Sequence, residues 1–212
     1  MTILAQAPSV PNAGTVKLDE IANECNDEEN AKNAKTIKNK KKRRTCQKLG
    51  QDKHACCEEK IQEHRKNTGG KNPDGDPPIR GEEAFKRPTY NPATKTSATP
   101  ASPLTPLGVN RGAAISTAIA AGMAAGGGKA VGKAIGKAVG GMVFPDASVI
   151  GPNGEQTFVD FKFACPPENR SKKASTVKNY TPPTQSTKQL AAHNALGKAS
   201  GGGQSITIQC LW

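Results

Sequence analysis

Aromatic residues are scarce in this chain: five Phe, two Tyr and one Trp among 212 residues, with 34% of the whole hydrophobic. So little large apolar surface builds only a small core, so the chain reads as one compact domain with appendages or as two small domains. Long apolar runs are also missing. The uncharged run from Gly112 to Gly128 covers 17 residues, short of the roughly 20 that span a bilayer. The first residues, MTILAQAPSVPNAG, have neither a basic n-region nor a long apolar h-region, so no secretory signal is expected and residues 1–16 read as a flexible tail. A phosphate-cradling G-x-x-x-x-G-K-[ST] loop and a Ser/His/Asp order are lacking, which removes support for NTPase and nucleophilic hydrolase readings. Six cysteines, Cys25, Cys46, Cys56, Cys57, Cys165 and Cys210, are few and scattered, and they are expected to be mostly reduced thiols. Without paired C-x₂-C arms or H-x₃₋₅-H spacing, Cys46, His54, Cys56, Cys57 and His64 do not make a structural zinc site.

Acidic residues run out early. After Glu83 the remaining 129 residues hold four carboxylates, Asp146, Glu155, Asp160 and Glu168. The net charge of +12 attracts polyanions, nucleic acid first and an anionic membrane surface second. Within the first third the charges are segregated: Asp19 to Glu29 is acidic, while Lys32 to Lys48 carries nine Lys/Arg and no acid. The run Lys40, Lys41, Lys42, Arg43 and Arg44 is a candidate phosphate-contacting arm, or else a solvated one. His54 to Lys66 has a helical pattern with Ala55, Cys56 and Ile61 as a modest apolar stripe. Composition then marks three segments: a charged, largely helical extension over 1–66, a Pro/Thr/Gly-rich linker or irregular wrapping segment over 67–110, and a core over 111–212.

The core begins with a Gly/Ala/Lys stretch. Gly128, Gly132, Gly136 and Gly140 fall on one side of a helix, and Lys129, Lys133 and Lys137 on an adjacent one. Glycine at that spacing permits close backbone approach, and a helix packed tightly on a sheet accounts for the row with less strain than membrane insertion does. Two strands follow, Met142–Ile150 and Gln156–Phe163, around Asn153-Gly154, a strong tight-turn pair. In the second strand Phe158, Asp160 and Lys162 share one face, and Thr157, Val159, Phe161 and Phe163 the other. A two-residue loop sets Asp146 opposite Phe161, while a longer loop or one bulge sets it opposite Asp160. Carboxylates gathered on a basic protein repel one another unless a cation is present, and Mg²⁺ favours such oxygen ligands. His193, alone in a helical pattern, is expected to be structural. Ser205–Trp212 reads as a terminal strand.

Pro145-Asp146 followed 14 positions later by Asp160-Phe161-Lys162 resembles the PD-(D/E)xK phosphodiesterase signature. FVDFKFAC followed by NYTPPTQSTKQL is similar to restriction-endonuclease-like toxin domains of bacterial polymorphic toxins, including type VI secretion effectors. The resemblance covers roughly residues 111–212. It implies an α+β fold with an αβββαβ core: the Gly/Ala helix, the strands of the hairpin, a helix near Pro183–Leu196 and the last strand. It further implies that Asp146 and Asp160 hold Mg²⁺ (or Mn²⁺) with the carbonyl of Phe161, that Lys162 orients the attacking water, and that Gln185 and Gln189 face the site. Lys129, Lys133 and Lys137 then face the phosphate backbone. The chain departs from many members in having no acid between Glu83 and Asp146, so Glu58, Glu59, Glu82 or Glu83 enters from upstream or the site manages with two acids. The function implied is a Mg-dependent DNase, an antibacterial toxin exported without a signal peptide, with a secretion-apparatus carrier. It would act in the cytoplasm of a target bacterium and be blocked by an immunity protein. The rival reading is a non-enzymatic membrane-active toxin that inserts residues 112–141.

Overall fold

The computed structural model describes residues 2–5, 13–38, 44–69, 79–86, 90–91, 93–94, 96–97, 111–126, 130–131, 133–135, 142–151, 156–170, 186–199 and 205–210. The fold mixes helices and strands, as the α+β reading requires. Packing divides the chain into two compact units that interleave in sequence. One consists of Met1–Ile79, Val159–Gln185 and Ile206–Trp212; the other of Arg80–Phe158 and Ser186–Ser205. The breaks near 66 and 110 are changes of composition, whereas these units are set by contact.

The first unit is built on two long helices. α1 (Ala13–Lys38) buries Leu18, Ile21, Ala22, Cys25, Glu29 and Asn33, the three-and-four spacing of one helical face. α2 (Cys46–Thr68) buries Leu49, Lys53, Cys57 and Ile61, a row at four-residue intervals. The apolar stripe thus runs through Cys57 and not through Ala55, which is exposed. Thr45 caps α2 by accepting from the Lys48 N–H at 3.1 Å. Gly69 ends it at φ 61°, a left-handed conformation that glycine adopts without steric cost.

The first unit also contains strands. β1 (Thr2–Ala5) pairs antiparallel with β9 (Ser205–Cys210), Ile3 opposite Ile208, so part of the expected flexible tail is a strand. Five strands follow the order β1-β9-β8-β7-β2, with β2 at Ile79–Arg80, β7 at Ala147–Ile150 and β8 at Gln156–Phe163. β8 is divided between the units after Phe158.

The expectation of reduced cysteines is overturned. Cys25 is bonded to Cys56, with Cα atoms 5.6 Å apart, and Cys46 to Cys165, with Cα atoms 5.4 Å apart. Cys57 and Cys210, both buried, are in neither disulfide. The partners are 31 and 119 residues apart in sequence, and only the tertiary fold brings such distant positions together.

In the second unit Phe85, Val143, Phe158, Ala192 and Leu196 form a buried cluster, with the rings of Phe85 and Phe158 edge-to-face at 5.1 Å. The 67–110 segment contributes to packing: Ile79, Ala84 and Phe85 are buried. β3 (Phe85–Lys86) pairs with β6 (Met142–Val143), and β4 (Tyr90–Asn91) pairs with β5 (Thr96–Ser97). The first predicted strand is interrupted, because Phe144–Asp146 lies between β6 and β7. α4 (Thr187–Ala199) opens with the Ser186 hydroxyl accepting from the Gln189 N–H at 3.2 Å and buries Ala192, His193, Ala195, Leu196 and Gly197. His193 thus belongs to the packed face of a helix.

The Gly/Ala stretch is not one helix. α3 (Arg111–Ala124) is followed by a turn at Ala125-Gly126, with Gly126 at φ 116°, and helical residues resume at 130–131 and 133–135. Gly128, Gly132, Gly136 and Gly140 lie outside the described residues. Close approach occurs instead at Gly122, where an added Cβ would fall 2.4 Å from the Val131 Cα and 2.7 Å from its N. Backbone cannot step aside as a side-chain tip does. Gly122→Leu is therefore expected to lower stability by at least the roughly 1–3 kcal/mol of overpacking, read as a drop in urea midpoint. An unchanged midpoint would mean that these two helical pieces do not touch. Among the described residues no helix is long and apolar enough to cross a membrane.

Candidate active site on strand β8

β8 is rich in β-branched and aromatic residues, Thr157, Phe158, Val159, Phe161 and Phe163, which favours an extended chain. The strand is buried on both faces: Phe158 and Asp160 on one, Val159 and Phe161 on the other. β8 is therefore an interior strand. Asp160 is 2% exposed, and Lys162 Nζ forms an ion pair with Asp160 Oδ2, with the Lys162 side chain 17% exposed. The two share a face as alternation demands. A carboxylate withdrawn from water costs several kcal/mol unless it is paired, and Lys162 supplies a partner two residues away.

The opposite face of β8 rests on α2. His54 lies edge-to-face on Phe163 at 5.2 Å and tilted to Phe161 at 6.4 Å. Lys53 Nζ sits 5.7 Å from the centre of the Phe163 ring and donates to Asn26 Oδ1 at 2.7 Å. Beyond β8 the chain is tied down repeatedly. Cys165 carries the disulfide to Cys46; the Asn169 amide donates to Arg44 O at 2.8 Å and exchanges hydrogen bonds with Asn33 at 2.7 and 3.2 Å. The Ala164 N–H donates to Cys210 O at 3.0 Å. The strand holding Asp160 and Lys162 is thus clamped at its end and along its back.

Burial pushes the Lys53 amine down from 10.5 to about 8 and the Cys210 thiol up from 9.0 to about 12. These shifts have opposite consequences for stability. Between pH 8 and 10.5 the unfolded chain holds a proton on Lys53 that the folded chain has released, so stability rises with pH. Above pH 9 the folded chain keeps the Cys210 proton that the unfolded chain loses, so stability falls towards pH 12. The melting temperature is expected to climb between pH 8 and 9, and this climb should be lost in Lys53→Met. A wild-type melt that is flat or falling across that interval would contradict the assignment.

Of the residues singled out in the sequence, the structure brings Asp160 and Lys162 together, with Phe161 between them. Asp146 is half-buried and belongs to the other compact unit. Gln189 is half-buried on α4, and Lys133 is exposed. Arg44 is engaged by Glu29 at 2.5 Å and Asp52 at 3.0 Å. Gln185, Lys129, Lys137, Lys40, Lys41, Lys42 and Arg43, and with them the Asn153-Gly154 turn, lie outside the described residues. Among the described residues no group of three or more His, Cys, Asp or Glu is placed to share a metal ion. Sequence reasoning missed Lys53 and Asn26, although Leu49, Lys53, Cys57 and Ile61 at four-residue spacing carried the signal that Lys53 belongs to the buried stripe. Compared with protein-family models, curated proteins and solved structures, the chain matches none.

Proposed function

We propose that the protein is a metal-dependent nuclease of PD-(D/E)xK type, cleaving DNA by attack of water on a phosphodiester. The observation that carries the reading is the Asp160–Lys162 pair on the central strand β8. A carboxylate and an amine two residues apart, both largely buried at considerable desolvation cost, are the acid and lysine of the signature. Two further observations support it. From residue 111 the described elements include, in order, α3, β6, β7, β8, a 3-10 turn at Pro167–Asn169, α4 and β9, a succession compatible with the αβββαβ order although β6 pairs with β3 outside the five-stranded sheet. The chain also carries +12, which favours a polyanionic substrate.

In this reading Asp146, Asp160 and the Phe161 carbonyl are hard oxygen donors of the kind Mg²⁺ takes. The metal, when bound, polarises the phosphate and offsets developing negative charge. Lys162 orients the attacking water, and its contact with Asp160 holds its ammonium at that position. The resemblance gives Gln185 and Gln189 the role of polar residues facing the site. Lys129, Lys133, Lys137 and the basic run 40–43 contribute phosphate contacts, which set affinity and its salt dependence without reading sequence, while Arg44 is taken up by Glu29 and Asp52. Replacing Lys40–Arg43 with Gln is expected to weaken DNA binding and flatten its salt slope; an unchanged slope removes the run from the interface. The toxin role, the immunity protein that blocks the basic surface and the signal-independent export belong to the same proposal. Two disulfides suit a chain that passes through an oxidising environment.

The test is incubation of the purified chain with supercoiled plasmid and Mg²⁺, with and without EDTA, alongside calorimetric Mg²⁺ titration. Cleavage that EDTA stops and excess Mg²⁺ restores is expected. Failure to cut both DNA and RNA with either Mg²⁺ or Mn²⁺ would overturn the reading.

A further inference from the structure

α3 is an apolar helix that the second unit leaves mostly uncovered. Of its described side chains Ala118 is buried, at 5% exposure, whereas Ile119 and Met123 are 42% and 64% exposed. One helical turn apart, those two share a face. With Val16 on α1, they are the large hydrophobic residues left exposed among the described residues. The flank of α3 beside this face is occupied through Gly122, whose backbone meets Val131 of the following helical stretch so closely that no side chain fits between. The buried positions Ala118 and Gly122 thus lie about a quarter turn from Ile119 and Met123.

The sequence around α3 carries charge of one sign. Residues 84–145 contain seven Lys/Arg and no Asp or Glu, and Lys133, two residues past Val131, is exposed. An exposed apolar helix face in a basic stretch of chain is the pattern that binds an anionic lipid surface: the apolar residues enter the headgroup boundary and cations such as Lys133 meet the headgroups. Nucleic acid would satisfy the lysines but leave Ile119 and Met123 in water, so it uses only half of what this face presents.

We infer that the α3 face centred on Ile119 and Met123 docks the protein peripherally on an anionic lipid bilayer. The contact is interfacial, since α3 has 14 residues and a bilayer-crossing helix needs about 20. The inference rests on α3 and its neighbours and is independent of the chemistry proposed for β8.

The experiment is co-sedimentation of the full chain with phosphatidylglycerol/phosphatidylcholine vesicles and with pure phosphatidylcholine vesicles, at low and high salt. Wild type is expected to sediment with the anionic vesicles only, and less at high salt. Ile119→Ser/Met123→Ser should bind at least about tenfold more weakly, the scale of losing two buried apolar side chains, with an unchanged thermal melt. Lys133→Glu should also weaken binding. Wild type failing to sediment, or the Ser variant sedimenting like wild type, overturns the inference; the latter assigns any binding to charge alone. Release of an entrapped dye would show insertion and overturn peripheral docking. A lipid-free dimer in size-exclusion chromatography that the Ser variant abolishes would overturn it as well, by showing that a second copy covers the face.

Discussion

Cys46→Ser/Cys165→Ser is expected to lose more stability than any other disulfide change in this chain. The bond closes a loop of 119 residues, and loop-closure entropy assigns such a link about 4.9 kcal/mol. The bond between Cys25 and Cys56 spans 31 residues and is assigned about 3.7 kcal/mol on the same scale. Cys165 lies two residues beyond β8, so its loss frees the end of the strand that holds Asp160 and Lys162. The Asn169 contacts to Asn33 and Arg44 remain, and they keep the 165–170 segment from detaching completely. Urea unfolding at neutral pH without reductant should therefore rank wild type above Cys25→Ser/Cys56→Ser, and that variant above Cys46→Ser/Cys165→Ser. Dithiothreitol should lower the wild-type midpoint below both. Equal wild-type midpoints with and without reductant would show that the bonds do not form in solution.

Asp160→Asn and Lys162→Met should differ in stability while sharing a loss of activity. Asparagine is nearly isosteric with the aspartate and leaves Lys162, whose side chain retains 17% exposure, able to carry its charge towards solvent. Lys162→Met leaves a carboxylate that is 2% exposed without this cation, and removing one partner of a buried pair costs up to about 3–5 kcal/mol. The lysine variant should accordingly melt lower than the asparagine variant. For cleavage both are expected to fall by roughly a thousandfold, the scale of losing one group that stabilises transition-state charge. They separate again in metal titration, where Asp160→Asn loses Mg²⁺ affinity and Lys162→Met keeps it. An inert ion pair would reproduce the stability difference but not the metal difference.

Local pattern carried much of the architecture. Gln156–Phe163 was legible as a strand because its β-branched and aromatic residues alternate around a turn pair, and Asp160 and Lys162 met because period 2 places them on one face. The Ser205 strand was likewise visible, while the helix that the resemblance implies near Pro183–Leu196 runs from Thr187 to Ala199. What sequence did not reveal depended on distant partners. Cys46 and Cys165 lie on elements far apart in the chain, and nothing near either one announces the other. The depth of Asp160, 2% exposed, was not legible either, because β8 is covered on both faces by elements distant in sequence. The linker reading of 67–110 followed its Pro and Gly content, but Ile79 and Phe85 are core residues that composition dilutes. Gly126 broke the Gly/Ala helix because its positive φ turns the chain, and a run of similar small residues gives little indication of where that turn falls.

The most direct measurement is a time course of plasmid cleavage in Mg²⁺ by wild type and Asp160→Asn, purified in parallel and shown by thermal melt to be folded. The account predicts cleavage by wild type that EDTA abolishes and a loss of about a thousandfold in Asp160→Asn. Equal cleavage by the two proteins would show that the buried carboxylate on β8 takes no part in the chemistry, and would contradict the assignment of the site.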